Sequence, residues 1–472
     1  MLLFLVAGVF CGVALAQSPV PAVSLDLPAS TFIGEGFSFT VSFDNASATD
    51  TGYGPFIDLV FPVNGADGAH GTDTPDGFDF VNATYLGAPV TAIQLTFPDA
   101  DGAGPGTTGC VNHPYAVDSS GAPLQVCGTA GDKLVVLQLP FGSFTPDQPL
   151  AEITVNTTLS NLADLDVPLT LYARAGFQYG ADPLDNPATD PSIVSDPATD
   201  SSTWSEHAAT TPTVLRLTKT YIGPEDETAT GPNFPRQYRI TVDIADGQTI
   251  TNLDLTDILA NNIQFVKVDS TTIRGTPTAT TAITTPSTST PGGTLTRRFA
   301  SVTGTTAAND AEMVFTFYVP LNDASGQPVI DAATGDDALS IDDALASGQW
   351  TPIDPRDLPT MTVTSNDTTQ DHILTDKSIA IQKSVAIVVD TGLMGLSPGD
   401  IVEYTLDFQI SDYFAFQNLV IPADVLGDGA RFLQTFTPTL SVTENGVTLG
   451  PVPFATQHYT VTPNYTPDSP PP

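Results

Sequence analysis

The sequence predicts an all-β protein of tandem β-sandwich modules. Three observations carry that expectation. Runs of β-branched and aromatic residues alternate with polar ones along the 472 residues, the period of a half-buried strand. The 38 glycines and 41 prolines punctuate those runs as turn residues. One pattern is also written twice, about 165 residues apart. Self-similarity at a fixed spacing marks an array of like modules, and arrays serve span, display and adhesion more often than catalysis.

Met1 to Ala16 is an apolar run ending in Ala14-Leu15-Ala16. Small residues at those two places read as a signal-peptidase site, so residues 1–16 are expected to be a signal peptide on an exported chain. The usual basic opening is missing. A membrane anchor is the alternative, but 16 residues are short for a span. The first module is expected over residues 17–205. Phe37, Phe39, Val41 and Phe43 share one face of a strictly alternating strand. Similar strands read Phe56 to Phe61, Val135 to Leu139, Ile153 to Val155 and Leu169 to Ala173. The stretch Asp182 to Thr211 is rich in Pro, Asp, Ser and Thr. It reads as a tail, with residues 206–211 as a linker.

The second module is expected over residues 212–376, with strands at Met313 to Val319 and Met361 to Thr364. The Thr/Ser/Pro-rich stretch Thr276 to Thr296 reads as an exposed loop. Ala338 to Leu345 reads as one or two helical turns. The third module, residues 377–472, has too few strands to close a sandwich and reads as truncated.

The repeated pattern begins with Lys219-Thr220 and returns at Lys383-Ser384. Tyr238-Arg239-Ile240 answers to Tyr404-Thr405-Leu406, and Asn252-Leu253 before Asp257 answers to Asn418-Leu419 before Asp424. Lys219 precedes Tyr238 by 19 positions and Lys383 precedes Tyr404 by 21. A Pro398-Gly399-Asp400 turn accompanies the second copy and is absent from the first. Val23 to Leu27 with Phe37 to Phe43 is a looser copy that has no lysine. These elements resemble the bacterial surface-repeat domains of the DUF11 type and the related isopeptide-forming modules of fimbrial proteins. The resemblance covers the second and third modules, and the first only weakly. It implies immunoglobulin-like sandwiches in long, exported, cell-surface chains with a structural or adhesive role.

In the isopeptide-forming relatives a buried lysine attacks an Asn amide beside a neighbouring acid. Burial favours the neutral amine and the protonated acid that such a step needs. The resemblance carries those roles onto Lys219, Asp257 and Asn366. The plain alternative is a lysine snorkelling from a strand edge, an aspartate capping a turn and an asparagine in a loop.

Past the leader the chain has two cysteines, Cys110 and Cys127. In an exported protein such a pair is expected to close a disulfide, contributing about 3 kcal/mol by loop entropy. Zinc held by Cys110, His113 and Cys127 is the lesser reading, because structural zinc takes four ligands. The net charge of −39 disfavours nucleic acid and anionic lipid as partners. It leaves calcium as a candidate cofactor, with Asp99 and Asp101 in the acidic Asp-Ala-Asp-Gly turn as ligands. None of the acidic turns carries the full calcium loop, so solvated turns are the plain reading. The chain contains no His-Glu-x-x-His, no Gly-x-Ser-x-Gly and no glycine-rich phosphate loop. The expectation is therefore a secreted or cell-surface, non-enzymatic structural or adhesive protein whose partners are other surface or matrix proteins or glycans. No later stretch is long and apolar enough to insert in a membrane. The alternatives are an extracellular hydrolase of polysaccharides or esters that uses the modules as spacers, and a calcium-binding adhesin.

Overall fold

The computed structural model describes residues 18–65, 75–99, 108–183, 191–223, 232–330 and, with short interruptions, 338–455. The chain is all-β, as its alternation requires. It divides into two compact units, residues 1–413 and 414–472.

The first unit opens with a two-sheet sandwich. One sheet runs in the order Pro21–Asp26, Gly36–Asn45, Ala151–Leu159, Phe78–Tyr85, Ala88–Pro89. Phe39, Val41 and Phe43 point inward while Ser38 is exposed, so the period of two read from the sequence is the one that builds the core. The facing sheet runs Ser30–Phe32, Glu206–Thr213, Leu169–Phe177, Pro55–Phe61, Lys133–Gln138, Thr91–Thr96. Pro55–Phe61 is buried at every position. Ile57, Leu59 and Phe61 face the sandwich interior. Phe56 and Val60 face a second apolar layer with Phe97, Val126 and Trp204. That layer includes the hairpin Thr108–Val117 and Pro123–Thr129, laid over the outside of the sheet. A strand covered on both faces loses its polar alternation, which is why this segment reads as a nearly continuous apolar run.

A second sandwich follows. Its first sheet runs Leu215–Tyr221, Arg236–Ile244, Ala311–Tyr318, Gln264–Ile273, Thr276–Pro277. Its second runs Thr281–Thr284, Gly293–Thr303, Thr249–Leu259, Asp343–Trp350, Met361–Asp367. Tyr238, Ile240, Leu253, Leu255, Phe299 and Phe317 fill the space between them. Trp350 is buried and its indole N–H donates to Gln248 Oε1 at 3.0 Å. A hairpin, Ile379–Val389 with Ile401–Ile410, comes next as a two-stranded pair. The chain then turns back to the second sandwich, where Tyr413 donates its hydroxyl to Val319 O at 3.2 Å. The second unit contains the hairpin Thr439–Glu444 and Val447–Pro453.

Three local expectations change. The stretch read as helical turns, Ala338 to Leu345, forms part of two strands, Ala338–Ser340 and Asp343–Trp350. Leu374–Asp376 and the neighbouring strands Thr249–Leu259 and Met361–Asp367 supply pairing that a short polar helix would forgo. Thr276 to Thr296 is exposed over most of its length, but it contains the strands Thr276–Pro277 and Thr281–Thr284 and the start of Gly293–Thr303, where Leu295 and Thr296 are buried. Residues 206–211 are no linker: they lie in Glu206–Thr213, paired antiparallel to Leu169–Phe177 and parallel to Ser30–Phe32. One residue, Val214, separates that strand from the first strand of the second sandwich. Val214 is buried and belongs to one apolar cluster that runs through both sandwiches. The first two modules thus share a continuous interior.

Candidate functional site

Lys219 sits where a core residue belongs. On Leu215–Tyr221 the inward positions are Leu215, Leu217 and Lys219. On the facing strand Thr249–Leu259 they include Leu253, Leu255 and Asp257. The two charged residues meet across the sandwich, Lys219 Nζ to Asp257 Oδ2 at 2.8 Å, with both side chains fully buried. The ammonium also lies 4.1 Å from the centre of the Tyr238 ring, which stacks on Phe317. Among the described residues, none donates a hydrogen bond to Asp257 Oδ1. A buried ion pair gives little net stability, so its presence calls for a reason other than packing.

Asn366 lies on the exposed outer face of the last strand. Its neighbour Asp367 holds the inward place, is buried, and accepts a 2.7 Å hydrogen bond at Oδ2 from the main-chain N–H of Lys219. Asp257 and Asp367 both pair with Ala344, so they occupy one row of the sheet with a small residue between them. Two strand spacings put their backbones about 10 Å apart. The signal that selects Asp367 is in the sequence: Met361, Val363, Ser365 and Asp367 share one phase of the strand, and Asn366 has the other.

The repeat holds at the level of register. Lys219 is opposite Ile240 and Tyr221 opposite Tyr238. Lys383 is opposite Leu406 and Val385 opposite Tyr404. Lys383 Nζ lies 4.3 Å from the Tyr404 ring centre, repeating the lysine–tyrosine contact.

A second buried charge cluster, unforeseen from the sequence, lies beneath the hairpin of the first sandwich. Cys110 and Cys127 are opposed in register and joined by a disulfide. His113 turns away from them. Its Nδ1 accepts from the N–H groups of Tyr115 and Ala116 at 3.0 and 2.6 Å. The Nε2 proton is therefore directed at Asp58 Oδ1, 2.8 Å away. Zinc is thereby ruled out as the link between these three residues. Arg174 donates Nε and Nη2 to Asp58 Oδ2 at 2.9 and 2.6 Å, and its guanidinium lies 4.5 Å from the Trp204 ring centre. Burial alone would raise the Asp58 carboxyl, but Arg174 and then His113 hold it below its ordinary value. The clue was a lone Asp in the run Phe56 to Phe61 and a lone Arg in Leu169 to Phe177.

Asp132 is a different case. Burial pushes its carboxyl up to about 7, against a hydrogen bond from Asn64 N–H that draws it down, and Asp76 adds to the rise. Of the expected calcium ligands, Asp101 lies outside the described residues, as do Met1 to Ala16. Among the described residues no group of three or more His, Cys, Asp or Glu is placed to hold a metal ion. Among them, too, no helix is long and apolar enough to cross a membrane.

No family model matches the chain, and no curated protein does. Solved structures share a distant likeness. The C-terminal domain of the AgI/II polypeptide BspA of Streptococcus agalactiae is 6% identical, covering 73% of this chain and 97% of its own, with a TM-score of 0.20. BcpA, the major pilin subunit of Bacillus cereus, is 12% identical over 68% of this chain and 84% of its own, with a TM-score of 0.25. The full-length major pilin SpaD of Corynebacterium diphtheriae is 12% identical over 73% of this chain and 65% of its own, with a TM-score of 0.23. Scores of this size leave the fold to be read from the strands themselves.

Proposed function

We propose that the chain is a structural or adhesive component of an exported bacterial surface or matrix, and that its second sandwich is locked by a covalent bond from Lys219. The observation that supports this most directly is the lysine in core phase, with its ammonium on buried Asp257 and its main-chain N–H on buried Asp367. Lys219 Nζ, as the neutral amine, attacks Cγ of Asp367. The C–N bond forms, the carboxyl C–O bond breaks, and the hydroxyl leaves as water with a proton supplied through Asp257. The acceptor is then an acid where the fimbrial relatives use an amide, and the by-product is water in place of ammonia.

The reduced, denatured mature chain should weigh about 18 Da less than its sequence, the mass of the water lost in amide formation. Lys219→Ala should restore the full mass, and peptide mapping should join the segments holding Lys219 and Asp367. A full sequence mass in the parent chain would refute the bond. Protease shaving of intact cells tests the location, which fails if the chain is released only on lysis.

A further inference from the structure

The hairpin and the sheet beneath it border a partly open cavity of about 100 Å³. The hairpin ends contribute Thr108 and Thr129, which are register partners. The sheet contributes Thr170 and Tyr172 from Leu169–Phe177, and the turn before Trp204 contributes Asp200. Asp132 forms part of the wall and is 9% exposed. Its Oδ1 accepts from Asn64 N–H at 3.0 Å, and no other hydrogen bond reaches its carboxyl among the described residues. The walls are firm. Tyr172 packs against His207 at 5.7 Å between ring centres. The hairpin is fastened by its disulfide and by His113 on Asp58. Gly128 sits over the Phe97 ring, where a Cβ would come within 2.4 Å, so the hairpin can lie this close only as glycine.

We propose that this cavity binds a terminal residue of a neutral glycan. Its lining offers hydroxyls and carboxyl oxygens beside a tyrosine ring, the mixture that holds a polyol by several hydrogen bonds around one apolar contact. Sugar hydroxyls can take over the hydrogen bonds that water makes with these groups. Charge selects the class. The chain carries a net −39, and Asp200 borders the site, so acidic sugars are repelled. Burial and Asp76 raise the Asp132 carboxyl to about 7, so at pH 6 it holds its proton. Protonated, that carboxyl donates to a sugar oxygen. Besides Asp132, the titratable groups facing the cavity are Asp200 and Tyr172, and Asp76 acts on Asp132.

This inference rests on the adhesive reading and supplies its ligand. The test is saturation-transfer NMR on the full chain at pH 6, with the methyl glycosides of glucose, galactose, mannose and N-acetylglucosamine as probes. At least one should receive saturation, with a dissociation constant on the order of 1 mM, as expected for so small a ligand. Thr170→Trp, which fills the cavity from the sheet, should weaken it at least tenfold, on the order of what losing a few contacts removes. Ser202→Trp fills it from the exposed rim and serves if the sheet variant does not fold. No transfer to any glycoside, or transfer undiminished by either plug in a folded chain, would overturn the site. Cell-surface shaving would still report on the adhesive reading, so the two failures are separable.

Discussion

Replacing Asp132 by asparagine should stabilise the first sandwich at neutral pH and change little in acid. Folding moves this carboxyl from 3.8 to about 7. The difference, 7 − 3.8, is about 3 units, and at about 1.4 kcal/mol each it amounts to about 4 kcal/mol. The sign follows from proton linkage. Below the unfolded value both states hold the proton and nothing is lost. As pH climbs from about 4 to about 7 the unfolded chain releases its proton while the folded chain keeps it, so stability falls. Above pH 7 the loss is constant. Asparagine cannot ionise, yet its amide oxygen can still accept from Asn64 N–H, the bond Asp132 makes at 3.0 Å. Urea denaturation at pH 4 and pH 8, following the transition of the first sandwich, reads the effect. A gain of about 4 kcal/mol is expected at pH 8 and under about 1 kcal/mol at pH 4. An equal gain at both pH values, or a loss at pH 8, would refute the assignment of a buried, protonated carboxyl.

Arg174→Met should cost the first sandwich about 3–5 kcal/mol, because it strands the buried Asp58 carboxylate. Adding Asp58→Asn should recover part of that, and strict additivity of the two changes in urea melts would count against the pairing. Replacing Cys110 and Cys127 together by serine should remove about 3 kcal/mol by loop entropy. The loss should appear in the first sandwich's transition, with amide exchange in the second sandwich unchanged.

The strands were legible because their alternation is a consequence of having one dry face. Phe37 to Phe43 could pair in no other phase without turning its aromatic side chains to water. The repeat was legible down to the lysine–tyrosine contact, since Lys219 with Tyr238 and Lys383 with Tyr404 keep the same cross-strand offset. What stayed hidden depended on a second neighbour. Nothing local in Asp343 to Trp350 says that two strands flank it, so its polar opening reads as helix. Asp58 and Arg174 stand 116 positions apart, and only the folded sheet brings them together. The choice between Asn366 and Asp367 needed the strand's phase, which two or three apolar residues fix weakly.

The junction at Val214 bears on how such a chain would carry load. A hinge needs residues whose backbone can turn without breaking contacts. Here the Thr213 carbonyl accepts from Ile33 N–H and the Val214 carbonyl from Ala245 N–H, each at 3.0 Å. Glu35 Oε1 accepts from Asp246 N–H at 2.9 Å, and the Arg216 guanidinium lies 4.7 Å from the Phe32 ring centre while donating to Ser30 O. Both sides of the step are held, so a pull on the first sandwich is delivered to Leu215 without a compliant linker. Four residues on, it reaches Lys219. With the proposed bond to Asp367, the first and last strands of the second sandwich become one covalent path. The segment between them is then bypassed, and its core contacts carry no tension. Without that bond the same pull would peel Leu215–Tyr221 from Arg236–Ile244 one residue pair at a time. A stiff junction and a first-to-last-strand bond are thus two parts of one mechanical arrangement: the junction delivers force to the strand that the bond secures.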